Sequence, residues 1–430
     1  MKKVAITTLG CKTNQFESAA MRDSLAADGY EIVPFSHSAD VYIINTCTVT
    51  ARTDAESRKL IRRAARLNPD SRIVVTGCYA QLAAPELADL PNVALVAGNN
   101  EKRGISALIR DLGKEPQVLV SDIGNAGNTK GLHLETFSEH TRSFLQIQNG
   151  CDAFCSYCIV PYARGRSRSV PFEEALYGVR KSAEAGFVEV VLTGIHLGAY
   201  GLDLEQNGGL LELVQRIDAE GIVPRLRLGS IEPNELTDGF IRFMAASVTL
   251  CPHIHLPLQS GSAQVLSAMG RNYTPAFIHE LVTRLVSDVS DISIGLDLIA
   301  GFPGEGDEDH AASCALIEDL PVAYLHVFPY SSRPGTKASA MPGHLHPSVI
   351  KQRAEELRRI GERKSLEFAN RFVGRVLPAL IQGDGRSGIT RNYLAVSLVG
   401  ARQDAGAEMP VLISESRSDG SCIGSLAVTP

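Results

Sequence analysis

Three closely spaced cysteines are the clearest chemical feature of the sequence. Cys151, Cys155 and Cys158 lie in NGCDAFCSYCIVPYARGRSRS, with no fourth cysteine or histidine close by. A structural zinc site closes with four ligands, whereas an iron–sulfur cubane bound by three cysteines leaves one iron open to an exogenous ligand. The CxxxCxxC spacing therefore favours an open cluster. Zinc would need a distant fourth ligand, for instance His196 or His255.

Three more cysteines stand where strand-like runs end. KKVAITTLGC ends at Cys11, DVYIINTC at Cys47 and SRIVVTGC at Cys78. Each run is short, apolar and rich in β-branched residues, which suits a strand buried on both faces. Helix-like stretches follow, and this alternation predicts a parallel sheet with the three cysteines at its carboxyl edge. The simpler alternative is three unrelated buried cysteines.

A series of predicted strands and helices must position the CxxxCxxC loop. Six strand-like runs, each followed by a helical stretch, predict a partial (β/α)6 barrel: SFLQIQ, VEVVLTG, RLRLGS, HIHLPLQ, ISIGLDLIA and AYLHVFPY. Barrel active sites lie at the rim where the strands end. Polar or special residues stand just past these runs, although any one of them could serve only a turn: Gly194, His196, Ser230, Glu232, Gln259, Ser260, Asp297, Tyr330 and Ser331.

Changes in local composition and in the pattern of apolar runs divide the chain into three predicted domains, and the overall fold class is α/β. Residues 1–125 form the N-terminal parallel α/β sheet domain, and the stretch from about 105 to 140, rich in Gly, Asp, Asn and Lys, reads as a linker. Residues 126–365 form the partial barrel. Residues 366–430 show short alternating runs between glycine-rich turns, which predicts a small C-terminal β-barrel.

The bulk composition narrows the function classes. The 430-residue chain has a net charge of −6, so any contact with nucleic acid must rest on local basic patches. No apolar run reaches the roughly 18 residues of a membrane span, and we expect no membrane partner and a cytoplasmic location. In such a reducing compartment we expect the nine cysteines to be metal ligands, nucleophiles or buried small hydrophobes rather than to form disulfides. Cys251, Cys314 and Cys422 match no motif, and we expect them to be buried small hydrophobes or free thiols.

Segments spread over nearly the whole chain resemble one enzyme family. They occur in this order, with the CxxxCxxC loop in its place among them: TLGCKTNQFES, VYIINTCTVT, IVVTGCYAQ, LTGIHLGAYG, SIEP, HLPLQSGS, MGRNYT, GFPGE and FPYSSRPGTKA. Together they resemble the methylthiotransferases among the radical S-adenosylmethionine enzymes. GCKTNQ, ARGRSRS and IHLGAYG favour the branch that modifies N6-threonylcarbamoyladenosine in tRNA.

The resemblance implies two [4Fe-4S] clusters and S-adenosylmethionine as cofactors. Cys151, Cys155 and Cys158 would bind the radical-generating cluster, and the other trio would bind an auxiliary cluster: Cys11, Cys47 and Cys78. One S-adenosylmethionine would supply a methyl group to sulfur, and a second would supply the radical that activates carbon 2 of the modified adenine. The product would be the 2-methylthio derivative at tRNA position 37.

The resemblance also assigns roles to single residues. Tyr157 matches the aromatic residue before the last cysteine of the loop. The barrel-rim residues would bind the cofactor, with Gly194 and His196 near its methionine moiety, Ser230 and Glu232 near its ribose, and Gln259, Ser260 and Asp297 facing the same cavity. Guanidinium groups pair with anions in two-point contacts, so an arginine trio could meet RNA phosphate or the substrate carboxylate: Arg164, Arg166 and Arg168. A salt-bridged loop is the plainer alternative.

The implied partners are a tRNA anticodon stem-loop, an electron donor of the flavodoxin or ferredoxin kind and a sulfur donor. The C-terminal β-barrel resembles a TRAM domain, an RNA-binding module. One alternative keeps the chemistry but changes the substrate to isopentenyladenosine-tRNA or a ribosomal-protein aspartate. Another is a non-catalytic, metal-containing RNA-binding protein, which would not cleave S-adenosylmethionine.

Overall fold

The computed structural model describes residues 2–110, 112–113, 115–127, 141–205 and 208–427. Part of the predicted linker, residues 128–140, lies outside these described residues. Within them, no helix is both long enough and apolar enough to cross a membrane.

A parallel sheet of six strands forms the N-terminal part of the chain. The strands are β1 (Lys3–Thr8), β2 (Glu31–Val33), β3 (Val41–Thr46), β4 (Arg72–Gly77), β5 (Val93–Ala97) and β6 (Gln117–Leu119). They pair in the order β2-β1-β3-β4-β5-β6. Helices α1 (Lys12–Ala27), α2 (Ala51–Leu67), α3 (Cys78–Leu82), α4 (Ala84–Ala88) and α5 (Ile105–Leu108) connect them. Separate apolar clusters pack on the sheet, which buries β3 and β5 completely.

The linker prediction for residues 105–140 is wrong at its beginning. Helix α5 and strand β6 lie there, and β6 extends the sheet by pairing with β5. All three side chains of β6 are exposed, so no buried apolar run marks this edge strand in the sequence. The other edge strand, β2, was not predicted because it has only three residues, none of them fully buried.

The middle of the chain forms the partial barrel. Its strands are β7 (Ser143–Gln146), β8 (Gln148–Asn149), β9 (Arg168–Ser169), β10 (Glu189–Thr193), β11 (Arg225–Leu228), β12 (His253–Gln259), β13 (Ser293–Ala300) and β14 (Tyr324–Pro329). The helices are α6 (Val160–Arg164), α7 (Phe172–Glu184), α8 (Leu210–Ala219), α9 (Asp238–Ala246), α10 (Ala263–Met269), α11 (Pro275–Asp288), α12 (Asp307–Asp319) and α13 (Pro347–Asn370).

All six predicted barrel strands exist and run parallel. They form two sheets, β7-β10-β11 and β12-β13-β14, which isolated parallel bridges join at Leu226↔Leu250 and Ser230↔His255. The two remaining strands, β8 and β9, pair antiparallel with each other and close the base of the loop that carries Cys151, Cys155 and Cys158. This two-residue ribbon is too short to leave a pattern in the sequence.

A closed five-stranded barrel ends the described chain. Its strands are β15 (Val376–Ile381), β16 (Ser387–Thr390), β17 (Ala395–Leu398), β18 (Glu408–Ser416) and β19 (Cys422–Leu426), in the order β15-β16-β17-β19-β18. Closure leaves no unpaired edge. The α/β fold class with a parallel sheet, a partial barrel and a C-terminal β-barrel is therefore confirmed. Cys251 and Cys422 are buried as expected, whereas Cys314 is only half-buried.

Helix α13 is shared between the last two parts of the fold. Ala354, Leu357 and Ile360 pack into the core of the partial barrel. About two turns after Ile360, Phe368 and Ala369 pack into the β-barrel. The predicted boundary at residue 365 falls between these two contacts, inside a continuous helix.

Candidate active site

The first cysteine trio meets at the carboxyl edge of the parallel sheet. Cys11 stands before α1, Cys47 directly follows β3, and Cys78 begins α3. Because β1, β3 and β4 are neighbours, the three residues come together. A methyl group added to Gly10 would lie 2.9 Å from the Cys47 sulfur. Burial first, and then the nearby Cys78 thiol, raise the pKa of Cys47 to about 11.

The second trio lies on the loop above the β8–β9 ribbon. The Cys151 amide donates to the Gly165 carbonyl at 3.0 Å, and the Cys158 amide donates to the Cys155 carbonyl at 2.9 Å. These bonds fold the loop so that Cys155 is buried while Cys151 and Cys158 are half-buried. The trio is thus held by local turns and by the ribbon beneath it.

The spacing of the sulfurs does not fit a single metal ion. A tetrahedral zinc ion with bonds of about 2.3 Å to sulfur needs those sulfurs about 3.8 Å apart. Among the described residues, two groups bring three ligand atoms within 4.8 Å of one another, and neither is a cysteine trio: His255, Asp297, His326 and His310, Cys314, Glu356. Cysteine sulfurs at a spacing wider than this fit a larger group that contains several metal atoms, such as an iron–sulfur cubane.

The two histidines considered as zinc ligands have other partners. His196 Nδ1 lies 3.5 Å from the Cys151 sulfur, and its Nε2 lies 2.7 Å from Glu235. Burial alone would lower the pKa of His196, but Cys151 and Glu235 outweigh burial and raise the pKa to about 10. His255 instead contacts Asp297 at 2.7 Å. Neither histidine therefore completes a four-ligand zinc site.

One guanidinium group contacts each cysteine trio. Arg164 Nε lies 3.3 Å from the Cys78 sulfur, and Arg271 Nη1 lies 3.3 Å from the Cys155 sulfur. A carboxylate holds each arginine: Arg164 Nη1 donates to Glu17 at 2.9 Å, and Arg271 Nη1 donates to Glu232 at 3.0 Å. Each trio therefore has one oriented guanidinium donor against a cysteine sulfur.

The predicted arginine trio does not form one anion-binding surface. Arg164 is fully buried, and Arg168 is buried with its Nη2 donating to the Arg164 carbonyl at 2.9 Å. Arg164 faces inward because it contacts Glu17 and Asn14 of α1, and Arg168 lies in β9 of the ribbon. Contact of either side chain with RNA phosphate does not fit these positions. Arg166 is exposed, and it pairs with Asp152 at 2.9 Å.

A cavity of 240 Å³ lies where the two cysteine-bearing segments approach each other. Val49 and Thr50, just past Cys47, line one side of it, and Tyr157 and Cys158 line another. The rest of the lining comes mainly from the ends of barrel strands: Gln259, Asp297, Ile299, Phe328, Pro329, Tyr330 and Ser331. Three of the residues predicted to bind the cofactor thus share this cavity.

The carboxylate in the cavity is ionised. Asp297 Oδ1 lies 2.7 Å from His255 Nε2 and 3.3 Å from His326 Nδ1. Burial alone would raise the pKa of Asp297, but the two histidines outweigh burial and lower the pKa to about 2. The cavity therefore offers a hydrogen-bond acceptor close to the second cysteine trio.

The remaining predicted residues divide between two places. Gly194 packs against Gln148, whose Oε1 accepts from the amide of His196 at 2.7 Å. Glu232 contacts Arg271, and Ser230 is exposed beside β12. His196 and, through Arg271, Glu232 therefore lie beside Cys151 and Cys155. The Ser260 hydroxyl accepts from the Ser262 amide at 3.1 Å, which shapes the turn before α10.

Sequence analysis missed four residues of this centre: Glu17, Gln148, Glu235 and Arg271. Two of them left a signal. Arg271 lies in MGRNYT, one of the segments that carry the resemblance to the methylthiotransferases. Glu17 follows Asn14 by three residues, which places both on one face of α1. Asn14 and Glu17 are both buried, although they are polar.

Two family models match the chain. The model described as "Uncharacterized protein family UPF0004" matches residues 3–98. The model of the radical SAM superfamily matches residues 145–317. The two matches correspond to the parallel sheet with the first cysteine trio and to most of the partial barrel with the second.

Relatives and solved structures agree with these matches. The threonylcarbamoyladenosine tRNA methylthiotransferase MtaB of Aquifex aeolicus is 39% identical, over 93% of this chain and 98% of its own. The tRNA-2-methylthio-N(6)-dimethylallyladenosine synthase of Staphylococcus epidermidis is 30% identical, over 96% and 82%. The radical S-adenosylmethionine methyltransferase TsrM of Kitasatospora setae shares the fold, with a TM-score of 0.55 at 16% identity over 79% and 75%. The chain belongs to the radical S-adenosylmethionine methylthiotransferases of the MtaB type.

Proposed function

We propose that the protein adds a methylthio group to carbon 2 of N6-threonylcarbamoyladenosine at position 37 of tRNA. The observation that carries this proposal is a single cavity lined by residues next to Cys47 and by Cys158 itself. The choice of base rests on identity: 39% to the relative named for threonylcarbamoyladenosine against 30% to the relative named for dimethylallyladenosine. A ribosomal-protein aspartate and isopentenyladenosine-tRNA remain outcomes of the test.

The two cysteine trios would each bind one [4Fe-4S] cluster. Cys11, Cys47 and Cys78 would hold the auxiliary cluster, and the loop cysteines would hold the radical-generating cluster: Cys151, Cys155 and Cys158. With S-adenosylmethionine bound, these groups would supply the sulfur, the methyl group and the radical needed to activate an aromatic C–H bond. An electron donor of the flavodoxin or ferredoxin kind and a sulfur donor must then serve the enzyme.

The chain's own residues would bind and orient the reactants. Four residues would surround S-adenosylmethionine: Gly194, His196, Ser230 and Glu232. Three residues of the cavity, Tyr157, Gln259 and Asp297, would lie between the cofactor and the reacting base. Ser260 would act indirectly, since its hydroxyl is already used by the turn before α10. The largely apolar lining, with Val49, Ile299 and Phe328, would help to exclude water once the reactants fill the cavity.

Contact with tRNA would involve the exposed side of the same centre. Arg166 is the accessible arginine of the predicted trio, and its guanidinium could leave Asp152 for a phosphate. The C-terminal β-barrel would hold the anticodon stem-loop, as its resemblance to a TRAM domain implies. Residues 1–125, 126–365 and 366–430 would then carry sulfur insertion, radical generation and RNA binding, in the cytoplasm.

Nucleoside mass spectrometry tests the proposal directly. Total tRNA would be digested from cells with and without the gene, and from cells that carry Cys47→Ala or Cys155→Ala. We expect only the 2-methylthio form of threonylcarbamoyladenosine to disappear, both without the gene and in these two variants. Cys314→Ser is the matched control, because this half-buried cysteine lies outside both trios, and it should retain the product.

Other results would point elsewhere. Loss of the methylthio form of isopentenyladenosine instead would favour the other tRNA branch. Unchanged tRNA would reject the substrate, and ribosomal proteins would be analysed next. Purified protein that cleaves no S-adenosylmethionine after iron and sulfide loading would reject catalysis and favour the RNA-binding alternative.

A further inference from the structure

Arg164 belongs to the loop of the second cysteine trio but contacts the first. It ends α6, six residues after Cys158 in the sequence. Its Nε nevertheless lies 3.3 Å from the sulfur of Cys78. The side chain is fully buried, so this contact is shielded from water. An N–H group directed at a ligand sulfur in a dry environment is a strong electrostatic feature.

The remaining nitrogens of Arg164 are all held by fixed partners. Its Nη1 donates to Glu17 at 2.9 Å and to Asn149 at 3.0 Å. Its Nη2 donates to Glu17 at 3.1 Å and to Asn14. The planar guanidinium therefore cannot turn away from Cys78 without breaking bonds to α1 and to β8. Its orientation toward the sulfur is set before any ligand binds.

Two buried basic side chains share one carboxylate beside this contact. Glu17 is shared between Arg164 and Lys102, both of which are buried beside it. Burial alone would raise the pKa of Glu17, but the two cations outweigh burial and lower the pKa to about 2. Burial lowers the pKa of Lys102, whereas a guanidinium keeps its charge in proteins. Arg164 therefore brings a buried positive charge to the Cys78 sulfur.

We propose that Arg164 is a positioning residue that sets the reduction potential of the cluster bound by Cys11, Cys47 and Cys78. The inference rests on the proposed two-cluster function. Reduction adds a negative charge to a cluster, and a hydrogen bond to a ligand sulfur together with a buried cation stabilises that charge. Arg164 therefore raises the potential of this cluster and makes its reduction easier.

The chain offers suitable variants for a test. Arg164→Met removes the donor and the charge, yet it leaves Glu17 paired with Lys102, so no buried carboxylate loses its last cation. Arg164→Lys keeps a charge but loses the planar fork. Arg166→Met is the matched control, since this exposed arginine stands two residues further along the same loop and pairs with Asp152.

The potential would be measured on the full chain with Cys151, Cys155 and Cys158 replaced by Ala. The bound iron then reports on the first trio alone. The reduced cluster would be followed by electron paramagnetic resonance during a redox titration with dithionite. At a fixed potential, Arg164→Met should raise the ratio of oxidised to reduced cluster about tenfold, which is a fall of about 59 mV for a one-electron couple. Arg164→Lys should shift it less, and Arg166→Met should not shift it.

The outcomes separate the inference from the function on which it rests. An unchanged midpoint in Arg164→Met, with iron retained, overturns the inference and leaves the two-cluster proposal intact. If Arg164→Met loses its iron, Arg164→Lys decides: a lowered midpoint supports the inference, and an unchanged midpoint or lost iron overturns it. A triple-alanine protein that binds no iron overturns the proposed function, and the inference falls with it.

Discussion

Replacing Gly77 with alanine should damage the first cysteine trio selectively. Gly77 has a φ of +96° and a ψ of −166°, a region that is essentially restricted to glycine. A Cβ atom there would lie 2.4 Å from the Thr46 carbonyl oxygen and 2.6 Å from the Thr46 nitrogen. Gly77 and Thr46 directly precede Cys78 and Cys47. Relief of the overlap must therefore move the backbone of two ligands at once.

The expected cost has two parts. The unfavourable backbone conformation costs about 1–3 kcal/mol, and forcing extra volume into a packed site adds about 1–3 kcal/mol. Gly29→Ala is the matched control in the same domain. Gly29 also has a positive φ, +83°, but a Cβ atom there would meet nothing within 4 Å. The control should show a backbone cost alone.

Two measurements distinguish the variants. Denaturant unfolding should give a free energy of unfolding about 1–3 kcal/mol lower for Gly77→Ala than for Gly29→Ala. Iron analysis after cluster loading should show about half the normal iron in Gly77→Ala and the full amount in Gly29→Ala, because metal affinity depends on ligand placement. Equal stability of the two variants and full iron in both would refute the reasoning.

Three further predictions concern the charges and the cavity. Burial alone would raise the pKa of Glu189, but Arg227 and Arg225 lower it from 4.5 to about 2. The stabilising effect of the ionised Glu189 carboxylate should be complete above pH 4.5 and fade as the pH falls to about 2. Glu189→Gln should be about 3 kcal/mol less stable at pH 7, and denaturant titrations at several pH values should show no such loss of stability at low pH in this variant. A pH profile of stability identical to that of the unchanged protein would contradict the assignment. Phe328→Ala removes an aromatic ring that is 44% exposed at the cavity and could stack on a tRNA base. The KM for tRNA should therefore rise about tenfold, while the iron content stays constant. An unchanged KM would exclude base stacking on Phe328. Arg333→Met breaks the buried contacts of Arg333 with Thr48 and Asp54. The free energy of unfolding, measured with denaturant, should fall by about 3–5 kcal/mol. A fall below about 1 kcal/mol would show that these contacts are dispensable.

The sequence predicted the elements whose patterns are local. Buried parallel strands appear as continuous apolar runs, so β1, β3, β4 and the six barrel strands were found with their cysteines and rim residues. The strands that were missed have two to four residues: β2, β6, β8, β9 and β16. Their partners lie elsewhere in the sheet, and nothing in so short a segment distinguishes it from a turn.

The partners of buried charges could not be predicted at all. Arg164, Arg166 and Arg168 look alike in ARGRSRS, but Arg164 binds Glu17, which lies 147 residues earlier in the chain. Arg271 reaches Cys155 across 116 residues. Whether an arginine is exposed or buried depends on which helix packs over it, and this is a property of the assembled fold.

Two charge pairs connect the N-terminal sheet domain to the rest of the enzyme near the cavity. Arg164 binds Glu17 of α1, and Arg333, just past β14, binds Asp54 of α2. Helix α1 follows Cys11, and helix α2 follows Cys47. Each pair therefore links a helix next to a ligand of the first trio to the partial barrel, which carries the second trio. A guanidinium–carboxylate pair is directional, whereas apolar surfaces tolerate sliding. The separation of the two trios is therefore fixed by these side chains, and not only by the chain segment that joins the domains. The proposed function needs such fixed spacing, because small displacements of reacting groups carry large rate penalties.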